Sequence, residues 1–188
     1  MPTLIDRGGR RRDDWLLLEG DAASAPAGAA LLVPLAAWQS GSPALGARPG
    51  RLGILLAPDD DPAAIAGALD RVELVAVDFP KFTDGRGYSI ARSLRERHGW
   101  RGELRAVGEV LRDQLFYLSR CGFDSFALAD GEDADAALAS FDVFSDAYQS
   151  ATDRGPLFLR RAAPAAGPVA IPPTHREAET QRPEGARA

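Results

Sequence analysis

The sequence has 188 residues, a formal net charge of −5 and 26% charged residues, values that are typical of one globular domain of ordinary size. The acidic balance argues against a nucleic-acid-binding protein, because contact with phosphates normally requires a basic face. The N-terminal residues carry charges throughout, and no apolar run is long enough to span a membrane. We therefore expect a cytoplasmic protein that binds neither nucleic acid nor membrane.

Few side chains in this sequence could hold a redox centre. With one cysteine, Cys121, and two histidines, the chain excludes an internal disulfide and makes an iron–sulfur cluster or a cysteine-histidine zinc site of its own improbable. It contains neither the G-x-G-x-x-G dinucleotide fingerprint nor the G-x-x-x-x-G-K-[ST] phosphate loop. We therefore predict no cofactor and no metal site of these kinds.

The first part of the chain predicts a small hairpin and then one strand. In residues 1–20, two short apolar runs surround Gly8 and Gly9, a pattern typical of a β-hairpin, which we expect to cover a sheet edge. The apolar run 30–38 is interrupted by Pro34, which has no N–H to donate to a neighbouring strand. This run is therefore either an edge strand or a strand that passes into a helix.

Residues 51–150 alternate regularly between strand and helix patterns. Short apolar runs at 51–58, 72–79, 102–108 and 123–130 are each followed by a segment with helical periodicity. Candidate caps support three of the helices, and these are Asp61 before Pro62, Ser89 as an N-cap, and Gly122 at a C-terminus. The last helix carries an apolar stripe at positions 137, 141, 144 and 148.

This alternation predicts an α/β fold with a mostly parallel sheet built from repeated βα units. An open doubly wound sheet and a partial (β/α) barrel use the same unit, so the pattern does not separate these two architectures. We expect a single domain over residues 1–160. Residues 161–188 are rich in proline and lack apolar periodicity, which predicts a disordered tail.

The segment 78–89, DFPKFTDGRGYS, combines charged, aromatic and glycine residues where a predicted strand passes into a helix. Loops at the carboxyl ends of parallel strands are where such folds gather ligands. Lys81 and Arg86 could donate charge-assisted hydrogen bonds, and Gly85 and Gly87 permit a close approach of the backbone.

The following helix and the turn itself allow two interpretations of this loop. A helix that begins at Tyr88 and Ser89 would favour an anion through its first amide groups. The same residues are also typical of an ordinary turn, because the Asp84 side chain can accept a hydrogen bond from the nearby backbone. The loop is therefore either a binding site or a structural turn.

The next predicted strand end, VGEVLRDQ, brings further ionisable residues to the same rim. The candidate ligand- or partner-binding residues are Asp78, Lys81, Phe82, Asp84, Gly85, Arg86, Tyr88, Glu109, Arg112 and Asp113. No catalytic residue is assigned.

The ligand depends on which of these side chains converge. A small oxyanion such as sulfite, sulfate or phosphate would fit between Lys81, Arg86 and Arg112. A hard cation would instead fit between Asp78, Asp84 and Glu109. Phe82, in a polar loop, either packs down as an anchor or offers an apolar patch to a partner protein.

The block 77–128, which includes FPKFTDGRGYS and LRDQL, closely resembles the bacterial family catalogued as domain of unknown function 934. The resemblance covers about residues 1–150 in order, including the DDWLLL opening. Members of this family are labelled as oxidoreductases of sulfite reduction, largely because their genes lie beside sulfite reductase and other assimilatory sulfur enzymes. The resemblance therefore implies a pathway, and it supplies no established catalytic residues.

The resemblance and the missing redox motifs together predict an accessory protein of assimilatory sulfite reduction. Such a protein would act with sulfite reductase or its electron-donor protein and would lend no cofactor of its own. The alternative is a small enzyme that binds an oxyanion or a phosphorylated ligand at the rim from Asp78 to Arg86. Whether the protein is an enzyme stays open at this point.

Overall fold

The structure, a computed structural model, describes residues 2–21, 25–41, 45, 48–142 and 152. The strands are β1 (Leu4–Asp6), β2 (Gly9–Arg11), β3 (Trp15–Leu17), β4 (Ala30–Pro34), β5 (Leu52–Leu56), β6 (Leu74–Phe79), β7 (Glu103–Gly108) and β8 (Ser125–Ala127). The α-helices are α1 (Leu35–Gln39), α2 (Arg86–Glu96), α3 (Leu115–Arg120) and α4 (Ala134–Ala139). Three segments, Pro62–Arg71, Arg112–Gln114 and Ser140–Asp142, are 3₁₀ helices.

All eight of these strands form one sheet in the order β2-β1-β8-β7-β6-β5-β4-β3. The strands from β3 to β8 follow sequence order, and their five pairings are parallel. The two pairings of β1, with β2 and with β8, are antiparallel. The predicted α/β class is confirmed, but the sheet is mixed rather than mostly parallel, because the N-terminal hairpin joins it in the opposite sense.

The sheet is curled into a half-barrel. Its two edge strands, β2 and β3, are separated by residues 12–14 alone. Four residue steps span at most about 14 Å, whereas eight strands side by side in a flat sheet would place the edges about 34 Å apart. The short connection therefore requires curvature, and the structure is the partial barrel of the two predicted architectures.

Curling gives the sheet a helix-covered outer face and a concave inner face. The outer face holds the main apolar core, to which β6 contributes Val75, Val77 and Phe79. The inner face holds a smaller apolar cluster around Leu74 and Ala76. Consecutive parallel strands joined by right-handed crossovers place their connecting helices on the same side of a sheet, which here is the outer face.

A buried arginine fastens the 12–14 connection across the inner face. Arg105 on β7 is only 2% exposed. Its Nη1 donates to Asp13 Oδ1 at 2.8 Å, and its Nη2 donates to Glu103 Oε1 at 2.9 Å. Ser125 Oγ also donates to Glu103 Oε1 at 2.6 Å, so the buried guanidinium and its carboxylate partner are both hydrogen-bonded.

The N-terminal hairpin is shorter than the predicted region 1–20. β1 and β2 pair around a turn that contains Gly8 and Gly9, and β1 covers the edge of β8. The second apolar run of that region instead becomes β3, which pairs in parallel with β4 at the opposite edge. Pro34 ends β4 directly before α1, so the run 30–38 is a strand that passes into a helix.

The helix boundaries agree with the predicted caps at two of three places. Asp61 Oδ1 accepts the Ala63 N–H at 2.9 Å, and Gly122, with a φ of 103°, follows α3. The Ser89 cap is wrong, because α2 begins at Arg86 with Gly85 as its N-cap. The helix begins earlier in the sequence than predicted, because the Asp84 carboxylate, and not Ser89, accepts a hydrogen bond from a backbone N–H at its start.

Some predictions fall on other parts of the chain. The outer positions of the last apolar stripe, 144 and 148, and the predicted tail 161–188 lie outside the described residues. Among the residues that the structure does describe, no helix has the length and apolar character needed to cross a membrane.

Candidate functional site

The loop between β6 and α2, residues 80–85, leaves the carboxyl end of a central strand, as predicted. Phe79, the last residue of β6, is almost fully buried and packs beneath the start of α2. A Cβ atom added to Gly87 would lie 2.5 Å from the Phe79 ring. Gly87 therefore allows the first turn of the helix to rest directly on the aromatic ring.

Arg86 is paired with carboxylates of this chain. Its Nε donates to Asp84 Oδ1 at 3.0 Å and its Nη2 donates to Asp84 Oδ2 at 2.6 Å, which is a bidentate contact. The Arg86 Nη1 also contacts Asp59. The Arg86 backbone N–H donates to Asp84 Oδ1 at 3.1 Å. These bonds from Arg86 lower the pKa of Asp84 to about 2. The contacts of Arg86 are therefore more typical of a structural turn than of a site that is organised to bind an anion.

Phe82 is held through its backbone while its ring is exposed. The Phe82 N–H donates to Glu109 Oε2 at 3.0 Å, and the Phe82 carbonyl accepts from Gln114 Nε2 at 3.3 Å. Gln114 is buried, and its Oε1 accepts the Leu111 N–H at 2.9 Å. Phe82 is nevertheless 44% exposed as a residue. Of the two interpretations of Phe82, this exposure favours the apolar patch.

Tyr88 on α2, the helix that follows the Phe82 loop, packs against Tyr117 on α3. The Tyr88 ring lies 5.3 Å from the Phe79 ring and 5.1 Å from the Tyr117 ring, measured between centroids. Burial raises the pKa of Tyr88. Tyr117 is 48% exposed. We call Phe82, Tyr88 and Tyr117 the aromatic surface.

The ends of β6 and β7 approach each other closely beside this surface. The Glu109 N–H donates to the Phe79 carbonyl at 2.7 Å. Gly108 has a φ of 95°, and a Cβ atom there would lie 2.4 Å from the Phe79 carbonyl oxygen and 2.7 Å from Asp78 Oδ1. Burial, and then the nearby Asp84 carboxylate, raise the pKa of Asp78. Only glycine fits this junction without strain.

The three predicted cations have different surroundings. Arg86 is engaged by Asp84 and Asp59, whereas Lys81 is exposed. Arg112 begins a 3₁₀ helix. The Arg112 backbone N–H donates to Glu132 Oε2, which belongs to the loop after β8, at 3.2 Å. Asp113, the next residue, is exposed.

The carboxylates of the rim do not form a metal centre either. Across residues 2–21, 25–41, 45, 48–142 and 152, no group of three or more histidine, cysteine, aspartate or glutamate side chains is placed to hold a metal ion. Glu109 is used on the Phe82 backbone and Asp84 on Arg86. The hard-cation alternative for Asp78, Asp84 and Glu109 is therefore not supported.

Sequence reasoning missed Gln114, which joins the two predicted strand-end loops. The signal was present, because Gln114 lies within the apolar stripe of Leu111, Leu115 and Leu118, and a buried polar side chain must find hydrogen-bond partners. Asp59 was also missed. It lies 27 positions before Arg86 in another loop, and no local pattern announces that contact.

Comparison with known families supports the location of this site within a shared block of sequence. Residues 53–158 match the sequence model of a family described as "Bacterial protein of unknown function (DUF934)". The matched range contains β6 to β8, all of β5 except its first residue, and both loops that hold Phe82. No curated protein matches the sequence.

Proposed function

We propose that this chain, which belongs to the DUF934 family of bacterial proteins, is a cytoplasmic accessory protein of assimilatory sulfite reduction. Its role is to bind sulfite reductase or the protein that donates electrons to it. The pathway rests on the family resemblance of FPKFTDGRGYS and LRDQL. The aromatic surface is the contact region that this proposal assigns.

The observation that carries the proposal is the way in which Phe82 is presented. The residue is 44% exposed, although both polar groups of its backbone are hydrogen-bonded, to Glu109 and to Gln114. Exposed apolar side chains gain free energy when a partner removes them from water. A backbone that is already ordered loses little conformational freedom on binding, and aromatic anchors of this kind dominate protein interfaces.

The alternative, a small enzyme that binds an oxyanion at the same loop, has weaker support. An anion site needs donors that are available to the ligand, and the Arg86 side chain and backbone N–H both donate to Asp84. An anion would have to displace the Asp84 carboxylate from its bidentate contact with Arg86. We therefore assign the loop to protein binding.

Growth on sulfate tests the proposal in a strain that requires this protein. We expect Phe82→Ala to impair growth when sulfate is the sole sulfur source, with growth restored by cysteine. The matched control is Lys81→Ala, which removes an exposed cation from the adjacent position and is expected to grow as the wild type does. If Lys81→Ala fails and Phe82→Ala grows normally, the anion-binding alternative replaces our proposal.

The colour of the purified protein provides a second test. An accessory protein without a cofactor of its own is colourless when purified from cells. A yellow or brown protein, with the absorption of a flavin, haem or iron–sulfur centre, would contradict the proposed role and would favour an oxidoreductase.

A further inference from the structure

The concave inner face of the half-barrel holds a cavity of about 350 Å³. This volume lies within the range of roughly 300–1,000 Å³ that is usual for small-molecule sites. Four strands contribute apolar side chains to its wall, and these are Trp15, Leu17, Leu32, Leu55 and Val107. The cavity therefore offers an apolar ligand a place out of water.

The cavity extends to the carboxyl ends of the strands. Gly108, the last residue of β7, lines it, and so do Ala129 and Asp130, which follow the end of β8. Parallel sheets and barrels bind their ligands at this end. Leu32 lies deeper in the cavity than Leu55, because it pairs in register with the residue two positions before Leu55. A ligand that enters at the carboxyl ends would thus place its inner part against these leucines.

Arg105 also lines the cavity, but carboxylates already surround its guanidinium group. Its Nη1 donates to Asp13 Oδ1 at 2.8 Å, and its Nη2 donates to Glu103 Oε1 at 2.9 Å. Arg11, the nearest further cation, lies 3.8 Å from Glu103 and 3.6 Å from Asp6. Three carboxylates therefore face two guanidinium groups, and an anionic ligand would have to displace one of them.

Asp78 adds a carboxylate to the same face of the sheet. Leu74 and Ala76, at alternate positions of β6, belong to the inner apolar cluster, so the Asp78 side chain also lies on the inner face. Asp78 pairs in register with Val107 of the cavity wall. Its Oδ1 would lie 2.7 Å from a Cβ atom at Gly108, which also lines the cavity. The carboxylate of Asp78 therefore borders the cavity at its carboxyl end.

Asp78 and Asp130 differ from Asp13 in that neither forms an ion pair within the described residues. Asp130 is exposed at the carboxyl end of the cavity. Burial, and then the Asp84 carboxylate, raise the pKa of Asp78. Both causes disfavour the negative charge of Asp78, and a cation beside it would relieve this cost. The cavity thus has an apolar interior and a carboxyl end that favours positive charge.

We propose that this cavity binds a small organic cation, an amine that carries an apolar group. The apolar group packs against Leu32, Leu55 and Val107, and the ammonium group lies between the wall and the carboxylates of Asp78 and Asp130. This site shares no residue with the aromatic surface, and its assignment does not depend on a role in sulfite reduction.

A series of matched small molecules tests this proposal with the wild-type full chain. The probe is hexylamine, and its binding is followed by the NMR resonance of the Trp15 indole N–H, which reports on the cavity wall. Hexanoate replaces the ammonium group by a carboxylate, and methylamine keeps the ammonium group but lacks the apolar chain. We expect saturable binding of hexylamine and at least about tenfold weaker binding of both hexanoate and methylamine.

Two isosteric variants test whether Asp78 is the counter-ion. Asp78→Asn and Asp70→Asn each remove one negative charge, but Asp70 is exposed on the 3₁₀ helix Pro62–Arg71 and does not line the cavity. We expect Asp78→Asn to weaken hexylamine binding about fivefold or more. Asp70→Asn should bind hexylamine as the wild type does, and neither variant should change the binding of the uncharged analogue hexanol.

A third variant, Val107→Phe, tests the location of the site. The larger side chain fills part of the cavity, so we expect it to weaken the binding of hexylamine and hexanol alike, while circular dichroism shows that the variant is folded.

Four results would overturn the assignment. Hexylamine fails to saturate, or hexanoate binds at least as tightly, which would make Arg105 the counter-ion of an anionic ligand. Asp70→Asn weakens hexylamine binding as much as Asp78→Asn does, or a folded Val107→Phe variant binds it unchanged. The comparison of hexylamine with hexanoate uses the wild-type chain, so it decides the question even if a variant fails to fold.

Discussion

Gln114 Nε2 lies 3.3 Å from the carbonyl oxygen of Phe82, although the two residues are 32 positions apart in the sequence. Through Gln114, the loop after β7 fixes the loop after β6, and the Leu111 N–H bonds to the other end of the same amide. Phe82, which is exposed, is therefore part of a backbone segment that hydrogen bonds from the neighbouring βα loop hold in place.

Replacing Gln114 by leucine should loosen this connection. The change keeps the volume but leaves the Leu111 N–H and the Phe82 carbonyl without their partner, so we expect the free energy of unfolding to fall by about 1–3 kcal/mol. Amide hydrogen exchange should become faster at residues 80–85. The control is Asp113→Asn, next to Gln114 but exposed, which should change neither quantity. Unchanged exchange at residues 80–85 in Gln114→Leu would show that the contact does not order the loop.

Gly87→Ala tests the close packing of α2 on Phe79. The added methyl group would lie 2.5 Å from the Phe79 ring, so helix or ring must move, and we expect a loss of about 1–3 kcal/mol in the free energy of unfolding.

Gly67→Ala is the matched control, because a Cβ atom there meets nothing within 4 Å and the residue also lies in a helix. Urea denaturation should show this control to be equal to or more stable than the wild type. Equal stability of the Gly87 and Gly67 variants would mean that the contact between Gly87 and Phe79 is not tight.

The pairing of Arg86 predicts a dependence of stability on pH. Bonds from Arg86 lower the pKa of Asp84 to about 2, from an ordinary value of 3.8. A carboxyl group whose pKa is lower in the folded state contributes stability above pH 3.8 and loses that contribution as the pH falls toward 2. Carboxyl NMR titration of Arg86→Ala should show the pKa of Asp84 rising toward 3.8. A pKa that stays near 2 in this variant would assign the shift to the backbone N–H of residue 86, which the variant retains, and not to the guanidinium.

Asp13→Ala tests the closure of the half-barrel. The variant removes the carboxylate that reaches Arg105 Nη1 from the connection between β2 and β3, and we expect the free energy of unfolding to fall by about 1–3 kcal/mol. Asp14→Ala, which removes only an exposed ion pair with Arg12, should change it by about 0.5 kcal/mol or less. If the two variants are equally stable, the bond between Asp13 and Arg105 does not hold the connection across the inner face.

Local patterns predicted the repeated βα units because the residues that make them are near neighbours in sequence. The strand ending at Phe79 and the Asp61 cap depend on such short-range patterns, and the structure has both. The run that forms β3 looked like part of the hairpin because it follows β2 closely. Its actual partner is β4, since the curl of the whole sheet brings the two sheet edges together.

The candidate site was predicted in position more than in chemistry. Strand order alone placed the loops of Phe82 and Glu109 next to each other at the carboxyl ends of the strands, and in the structure a hydrogen bond joins these loops. The partner of Arg86 was not predictable in the same way, because Asp59 comes from a different loop and Asp84 competes for the same guanidinium. A sequence shows that a cation is present, but the fold determines whether that cation is available to a ligand.

The most direct test of the proposed function is a binding titration of the purified full chain with sulfite reductase and, separately, with its electron-donor protein, both from the same bacterium. We predict saturable binding to one of the two proteins, weakened about tenfold or more by Phe82→Ala and unchanged by Lys81→Ala. Binding to neither protein, or equal binding of the wild type and a folded Phe82→Ala variant, would contradict the assignment of the aromatic surface as the contact region.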